Sequence, residues 1–368
     1  MEDMEMIRKI MPRAAMYMIL CCTLPAISAF AQSVAPFDAS PLVKLGDSVK
    51  YGSYIIYKIG EGIYKINDPG KPPAIMGGAG VDMYMICGEK KALMIDLGNN
   101  YTVGYEKDLI APRKNAAEEL RNVAYGLAGR LQLEIAFTHT GPDHQGMTKA
   151  FIDRNVPMWL AEGEDANRPK QYFKSDPIDP SVYSRFKHGE KSFDLGGGRI
   201  VETFMVRGHT DAGTVFILKK EGILVTGDAV GFGNGLGLTT VDKINGFRVD
   251  IQKLVDYIFA NFSPYERYAL RVYTGHSHLD TRGASPNQDA VDSGYMDWRY
   301  IQNMASCANA VAKGMWLVEG SPLRYVRRQP NSNPSPAVDE GAIMVYGIGS
   351  LKIPIGLAYE VAGLKMPQ

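Results

Sequence analysis

The sequence has no excess of charge of either sign and few cysteines. Its 40 Lys and Arg residues balance 40 Asp and Glu residues, so the formal net charge is +0. A nucleic-acid-binding protein normally carries a basic excess, so the charge argues against a nucleic-acid partner. Only 4 cysteines occur in 368 residues, which argues against a disulfide-rich scaffold. Their spacing predicts no metal site built from cysteine.

Long apolar runs are also missing. The one candidate spans residues 14–24, follows three basic residues and precedes an Ala-Phe-Ala site that ends at Ala31. This order is typical of a secretory signal peptide. An uncleaved membrane anchor needs a longer run than this one, which Pro25 interrupts. We therefore predict cleavage after Ala31, a periplasmic or secreted protein, and no stable membrane insertion once residues 1–31 are removed.

Two of the cysteines lie in that leader, which leaves Cys87 and Cys307. In an oxidising compartment these two could form a disulfide. Cys87 lies in an apolar segment, so a buried free thiol is the alternative. The rest of the composition, with 45% hydrophobic and 22% charged residues, is that of a globular protein with a sizeable core.

Periodic patterns predict a mixed α/β protein. Residues 51–67 alternate around Gly60-Glu61-Gly62 and predict a hairpin. Further strands are predicted at 83–87, 92–96, 131–137, 156–160, 199–206, 214–219, 223–226, 270–274, 342–346 and 351–355, and helices at 116–131, 147–155, 251–261 and 287–318. Residues 161–195 are polar, contain several prolines and show no clear period. We interpret them as an insertion near the mouth of a site.

Four predicted junctions between a strand and a loop carry residues that can bind a metal. The first is the segment 137–146, Phe-Thr-His-Thr-Gly-Pro-Asp-His-Gln-Gly; the others present His209, Asp228 and His276, the last followed by His278. Adjacent residues on a helix or strand point apart, whereas a loop can turn both toward one point. Imidazole and carboxylate groups that converge suit Zn²⁺ or Fe²⁺. The series therefore predicts one shared metal centre.

The order and spacing of these motifs resemble the metallo-β-lactamase-fold metallo-hydrolase superfamily. The matching motifs are Ile-Asp-Leu-Gly at 95–98, the His-x-His-x-Asp-His-like loop at 139–144, Gly-His-Thr at 208–210, Thr-Gly-Asp at 226–228 and Gly-His at 275–276. The resemblance runs from about residue 54 to residue 278. It implies an αββα four-layer sandwich with the site at one edge, here with an added C-terminal segment. It also implies a zinc site, usually with two ions bridged by one Asp.

The resemblance assigns the ligands to two sets that share one carboxylate. The three-residue set is His139, His209 and Asp228; the four-residue set is Asp143, His144, His276 and Asp228. The second histidine of the family's His-x-His-x-Asp-His motif corresponds to Gly141 in this sequence. Glycine offers no side-chain ligand, so the three-residue set is one ligand short. A single metal, a weak second metal, or a replacement ligand such as His278 are the alternatives. His188 is a less favoured replacement.

The chain is thereby divided into four parts. Residues 1–31 are the predicted signal peptide and residues 32–50 a lead-in. Residues 51–310 are the predicted metallo-β-lactamase-like hydrolase domain. Residues 311–368 are predicted to be a C-terminal extension that packs on the same domain.

The function that the resemblance implies first is an exported zinc-dependent hydrolase. Metal-bound hydroxide would attack a small ester, lactone or amide, with a β-lactam among the candidates, because a divalent ion lowers the pKa of bound water from about 15.7 to near 7. One or two Zn²⁺ ions would serve, with iron as the alternative metal. Asp143 would orient the water or accept its proton. Asp96 has two interpretations: a hydrogen bond to a ligand histidine, or a cap at the end of its strand.

Two other functions stay open at this point. Some members of the superfamily hold one iron and oxidise persulfides with residues equivalent to His139, His209 and Asp228, all of which are present. A non-catalytic binding protein with a decayed metal site is the other alternative, and Gly141 is its support. For the enzyme functions the predicted partner is a small-molecule substrate.

Overall fold

The structure is a computed structural model that describes residues 35–68, 81–99, 115–166, 178–231, 236–276, 294–327 and 341–366. The predicted signal peptide and His278 lie outside these ranges. From Pro36 onward the chain forms one unit. Among the described helices, none combines the length and the apolar character that crossing a membrane requires.

The described strands follow one another along most of the chain. They are β1 (Ser48–Tyr51), β2 (Tyr54–Gly60), β3 (Ile63–Asp68), β4 (Val81–Cys87), β5 (Lys91–Ile95), β6 (Gln132–Ala136), β7 (Met158–Ala161), β8 (Tyr183–Phe186), β9 (Ser192–Asp194), β10 (Ile200–Met205), β11 (Thr214–Leu218), β12 (Ile223–Gly227), β13 (Leu236–Gly237), β14 (Arg271–Thr274), β15 (Met296–Asp297), β16 (Leu323–Arg327), β17 (Gly341–Tyr346) and β18 (Gly349–Pro354). The described α-helices are α1 (Ala116–Ala128), α2 (Lys149–Ile152), α3 (Val241–Asn261), α4 (Pro264–Ala269), α5 (Arg299–Ala312) and α6 (Ile355–Val361).

These strands form three sheets. The first contains β1 to β8 in chain order, antiparallel up to β5 and parallel from β5 to β8. The second has the order β15-β14-β12-β11-β10-β9, in which β12 and β14 are parallel. The third has the order β13-β18-β17-β16. The predicted hairpin at 51–67 is confirmed as β2 and β3.

Alternation along the strands decides which layer each side chain joins, because successive residues of a strand face opposite sides. In β4, Met83 and Met85 pack in the core that includes α1, whereas Tyr84 and Ile86 pack between the first two sheets. Phe216 of β11 meets that inner core from the second sheet. Burying one such side chain contributes roughly 1.5–3 kcal/mol. The sheets therefore face each other with helices outside, and the predicted αββα sandwich is confirmed.

The outer face of the second sheet is covered by two helices and the third sheet. Phe247 and Ile251 of α3 share one core with Met304 of α5, and Met344 of β17 and Leu351 of β18 join it. The C-terminal segment thus adds a layer outside the sandwich, where its strands and α6 pack against α5. The strands predicted at 342–346 and 351–355 are confirmed as β17 and β18, whereas their assembly with β13 and β16 into a separate sheet was not predicted.

Four predicted elements were wrong in extent. Of the helix predicted at 287–318, the part from residue 294 onward is described, and there α5 covers only Arg299–Ala312. Helix α3 begins at Val241, ten residues before the predicted start, because Thr240 caps it by accepting a hydrogen bond from the Lys243 backbone N–H at 3.2 Å. Helix α1 ends at Ala128, because Gly129 takes a backbone φ of 59°. The helix predicted at 147–155 is reduced to α2, a single turn.

Residues 161–195 were interpreted as an insertion near the mouth of a site, without regular elements, but their described part contains two strands. The segment contains β8, which extends the first sheet, and β9, which is the edge of the second. In β8 the buried residues are Tyr183 and Phe186, with two exposed residues between them. That spacing differs from the strict alternation by which strands are identified from sequence.

Cys87 and Cys307 are both free thiols. Cys87 packs beside the core of α1, and Cys307 lies in the core of α3 and α5. Burial raises the pKa of Cys87 to about 11 and that of Cys307 still further. The thiolate is the nucleophilic form, so both side chains behave as unreactive packing residues.

Candidate metal centre

Four loops meet at one edge of the sandwich. Parallel strands end at the same edge of a sheet, and both central pairs are parallel: β5 with β6, and β12 with β14. Asp228 follows β12 directly, and His276 lies two residues after β14. The loop of residues 137–146, which carries His139, Asp143 and His144 and is called the opening-motif loop, follows β6. The β10–β11 loop supplies His209. The backbone N–H of Thr214 donates to the Thr138 carbonyl at 2.8 Å and ties the two sheets together there.

The four-residue set surrounds the Asp228 carboxylate. His144 Nε2 lies 3.4 Å from Asp228 Oδ1, and His276 Nε2 lies 3.4 Å from Asp228 Oδ2. Asp143 Oδ2 is 3.3 Å from His276 Nε2 and 3.9 Å from His144 Nε2. Ligand atoms about 2.1 Å from a tetrahedral ion are separated by roughly 3.4 Å. The spacing of this set therefore fits one cation.

The three-residue set is built on the same carboxylate. His209 Nε2 lies 3.7 Å from Asp228 Oδ2. The ring centroid of His139 is 4.8 Å from that of His209 and 4.3 Å from that of His144. In each set the ligand atoms lie within 4.8 Å of one another. All the residues predicted to be ligands are thus brought together in one centre.

Several buried atoms in this centre lack the partners that burial normally requires. His139 Nε2, His144 Nε2 and Asp228 Oδ1 make no hydrogen bond within the described part of the chain. An unsatisfied buried polar atom costs free energy, and most such atoms in folded proteins are paired. Here the atoms are those that a metal would take as ligands, so the residues fit a divalent ion.

Gly141 brings backbone into contact with the three-residue set. A Cβ atom at this position would lie 2.4 Å from His139 Nε2 and 2.9 Å from Asp143 Oδ1. The His139 imidazole therefore occupies the space that a side chain at position 141 would need. The less favoured replacement, His188, has its Nε2 hydrogen-bonded to Thr214 Oγ1 at 2.9 Å. It belongs to neither ligand group found among the described residues.

A second glycine permits close approach on the other side of the centre. A Cβ atom at Gly275 would lie 2.4 Å from Asp228 Oδ1 and 2.7 Å from His144 Cε1. Any other residue would push these two ligands aside. The glycine before His276 is therefore required by packing against the ligands.

Asp96 orients one of the ligands. Its Oδ2 accepts a hydrogen bond from His144 Nδ1 at 2.8 Å and another from Thr138 Oγ1 at 2.7 Å. A carboxylate only accepts, so Nδ1 carries the hydrogen and Nε2 is left to bind a metal. Asp96 also has a backbone φ of 64° and Oδ1 accepts from the Thr138 backbone N–H at 2.8 Å. The predicted hydrogen bond to a histidine is confirmed, and the same residue terminates β5.

The carboxylates hold protons on two of the histidines. Burial lowers the pKa of His144, but Asp228, Asp143 and Asp96 outweigh burial and raise it to about 10. Burial likewise opposes protonation of His276, yet Asp228 and Asp143 raise its pKa well above the ordinary value. Without a metal, the four-residue set is therefore a network of imidazolium and carboxylate groups.

His139 behaves in the opposite way. Burial, together with the neighbouring His144 and His209, lowers its pKa well below the ordinary value. Burial opposes ionisation of Asp228, but His276 and His144 hold its pKa well below the ordinary value. The three-residue set thus presents a neutral imidazole beside a carboxylate, the forms in which both groups bind metals.

Sequence reasoning missed Glu164. Its side chain is buried at 5% exposure and accepts hydrogen bonds from Thr140 and Ala212, which lie in two different ligand loops. The residue sits in the stretch without periodicity, and a single Glu there carries no sequence signal. Only the approach of the two loops shows that it belongs to the centre.

Residues 76–255 match the family model of the metallo-beta-lactamase superfamily. Similar solved structures include metallo-beta-lactamases from Pontibacter korlensis (17% identity, TM-score 0.47, covering 70% of this chain and 99% of that one) and Erythrobacter litoralis (12%, 0.48, 72% and 99%). Another is FIM-1 from Pseudomonas aeruginosa in its mono-zinc form (12%, 0.47, 70% and 96%). Among curated proteins, none matches this sequence.

The matched range contains every ligand candidate except His276, which lies beyond residue 255. It also contains strands of both facing sheets. The motifs, the layer order and the family model agree: this chain carries a domain of the metallo-beta-lactamase superfamily.

Proposed function

We propose that the protein is an exported zinc-dependent hydrolase that acts on a small ester, lactone or amide, with β-lactams among the candidate substrates. Membership of the superfamily suggests a metal-dependent hydrolase. The observation that carries the proposal is the four-residue set, whose ligand atoms lie within 4.8 Å of one another. His144 Nε2 and Asp228 Oδ1 in that set are buried without a hydrogen bond in the described part of the chain.

The residues of the four-residue set have separate tasks. His144, His276 and Asp228 are buried and would hold the ion. A divalent ion bound there would lower the pKa of water and polarise the bond under attack. The Asp143 side chain is 24% exposed, so its carboxylate can meet a substrate or water from the open side. Burial opposes its ionisation, but His144 and His276 lower its pKa. Asp143 is therefore ionised and can accept a hydrogen bond that orients water, while its lowered pKa makes it a weak base.

Export and the class of partner belong to the same proposal. The basic, apolar and Ala-Phe-Ala segments of residues 1–31 support a periplasmic or secreted location. The even charge balance supports a small molecule over nucleic acid as the partner.

The experiment combines metal analysis with a hydrolysis screen. Protein purified without added metal should contain zinc and should hydrolyse at least one substrate in a panel of esters, lactones, β-lactams and phosphodiesters. His276→Ala should lose both metal and activity, because it removes a buried ligand. His188→Ala is the matched control: it removes a histidine outside both sets and should keep the metal. Retention of full metal content by both His144→Ala and Asp228→Ala would instead support a decayed site.

A second function is favoured by one specific observation. His139, His209 and Asp228 form a compact group of their own, and the resemblance associates such a group with one iron that oxidises persulfides. Iron in the purified protein, together with oxygen uptake on addition of a persulfide, would replace the hydrolase proposal. Zinc without oxygen uptake would exclude the oxidoreductase.

A further inference from the structure

Glu164 is a buried carboxylate that links two ligand loops. Its Oε2 accepts hydrogen bonds from the Thr140 backbone N–H at 3.1 Å and from Thr140 Oγ1 at 2.9 Å. Its Oε1 accepts from the Ala212 backbone N–H at 3.2 Å. One side chain therefore holds the residue after His139 and the residue three positions after His209.

Glu164 is itself fixed in place. Arg185 Nη1 donates to the backbone carbonyls of both Ala161 and Glu164, each at 3.0 Å. Arg185 lies in β8, which pairs with β7 just before Glu164. The Glu164 carboxylate therefore extends from the end of β7 toward the opening-motif loop of the first sheet and the β10–β11 loop of the second sheet.

The loop around Thr140 is also held from its other side. Gln145 Nε2 donates to the Thr140 carbonyl at 2.9 Å, and Tyr183 OH donates to Gln145 Oε1 at 2.8 Å. These bonds act on the opening-motif loop alone. Of the two supports, only Glu164 also reaches the loop of His209.

The two ligand sets have different direct supports. Asp96 contacts the imidazole of His144, which belongs to the four-residue set, and reaches the other set only through Thr138, the residue before His139. Glu164 contacts the two loops that supply both histidines of the three-residue set. Because position 141 is a glycine and supplies no ligand, the separation of His139 and His209 determines how tightly the three-residue set can bind a metal ion.

We propose that Glu164 is a positioning residue that sets the separation of His139 and His209, and so the strength with which the three-residue set binds a metal. The proposal rests on the proposed function, because it takes the centre to be a metal site. Glu164 acts through the two loops and touches neither metal nor substrate.

The test compares Glu164→Gln with Glu162→Gln. A Gln side chain keeps the volume but has one acceptor oxygen, so it can accept from one loop and must place an NH₂ group against the N–H of the other. Glu162 has an exposed side chain near the same strand end, so its replacement controls for the loss of one negative charge. Thr140→Val gives an intermediate case, because it removes the hydroxyl bond and keeps the backbone bond.

Two measurements are made on each variant. The first is a chelator-competition titration with Zn²⁺, which separates a tighter from a weaker site. The second is an NMR spectrum of the metal-free protein with labelled histidine imidazoles, in which the 6 histidines give few signals. The signals are assigned with single His→Ala variants.

In Glu164→Gln we expect the weaker zinc site to lose about 10–100-fold in affinity, the range typical of residues that orient ligands. The tighter site should be unchanged. The His139 and His209 signals should shift, those of His144 and His276 should stay, and Thr140→Val should show smaller changes of the same kind. Glu162→Gln should match the unmodified protein.

Three results would overturn the proposal. One is an unchanged weaker site with unchanged His139 and His209 signals. Another is an equal loss of zinc affinity at both sites. The third is a change in all the histidine signals together with a loss of thermal stability. Either of these two results would show that Glu164 supports the whole fold. If the unmodified protein binds no zinc at all, the proposed function fails, and the NMR comparison still decides whether Glu164 positions the two histidines.

Discussion

The two halves of the metal centre share Asp228 but differ in almost everything else. The four-residue set has three side chains that are buried and one, Asp143, that is 24% exposed. The three-residue set has only two histidines of its own, and His209 is 17% exposed. Carboxylates raise the pKa of the histidines in the first set, whereas burial lowers the pKa of His139 in the second.

This difference shows how one glycine can make a two-part site unequal. With Gly141 the chain keeps the four-residue set complete and leaves the other with fewer donors. The His139 imidazole stands where a side chain at position 141 would be. The four-residue set is therefore expected to bind the tighter ion, and each prediction below tests that order.

The largest effect is expected from removing one histidine from each set. His144→Ala should weaken the tighter site by more than about 100-fold, beyond the range seen when only a residue behind a ligand is lost. His209→Ala should leave the tighter site intact, because it contributes nothing to the four-residue set. Zinc titration of both variants measures the contrast, and a tighter site abolished by His209→Ala would reverse the order of the two halves.

Asp96→Asn should have the next largest effect. The amide has one acceptor oxygen, so it cannot accept from both His144 Nδ1 and the Thr138 backbone N–H, which the carboxylate takes on different oxygens. Zinc affinity of the tighter site should fall about 10–100-fold. Asp194→Asn, a change on the exposed edge strand, serves as the control. Equal affinities in the two variants would show that Asp96 does not orient His144.

The pH dependence should also separate the halves. His144 has its pKa raised to about 10 and must lose that proton to bind a metal. The affinity of the tighter site should therefore rise about tenfold per pH unit for each proton released, from neutral pH toward pH 10. His139 has a lowered pKa and is already neutral, so it adds no such dependence to the weaker site. Zinc titrations at several pH values test this, and equal slopes would contradict it.

The same shift predicts that stability depends on pH differently with and without zinc. In the metal-free protein the raised pKa of His144 stabilises the fold below the ordinary value of 6.5, and this contribution is lost as pH rises toward about 10. With zinc bound, this proton is absent from both the folded and the unfolded state, so stability should stay nearly level over that interval while the gain from zinc grows. Thermal unfolding with and without zinc gives both curves, and parallel curves would exclude the coupling.

The smallest effect is expected from Gly141→Ala. The added methyl would meet His139 Nε2 at 2.4 Å, so the imidazole must move, and the weaker site should lose several-fold in affinity, less than when an orienting residue is lost. Gly141→His adds a donor at the cost of the same displacement. If Gly141→His strongly raises the zinc affinity of the weaker site, the gain from a ligand at position 141 is larger than the loss from moving His139. Gly356→Ala, at a glycine with nothing within 4 Å of its Cβ direction and without a positive φ, controls for the added methyl.

Much of the architecture could be predicted from the sequence because it depends on local patterns. Alternation in β4 and β5 identified two buried strands, and the Gly-rich turn between β2 and β3 identified their hairpin. Elements whose burial depends on tertiary contacts were harder to predict from the sequence. Strand β8 buries Tyr183 and Phe186 without alternation, and the first turns of α3 depend on a cap at Thr240.

By itself the sequence determined the chemistry available to this protein: imidazoles and carboxylates displayed at strand ends, with glycines beside them. Tertiary structure alone decided which of them meet and how each is supported. Asp228 is shared by two sets, Asp96 orients His144, and Glu164 joins one loop 24 residues before it to another 48 residues after it in the chain. The physical reason is that hydrogen bonds and ligand spacing depend on distances across two packed sheets, and residue order does not specify those distances.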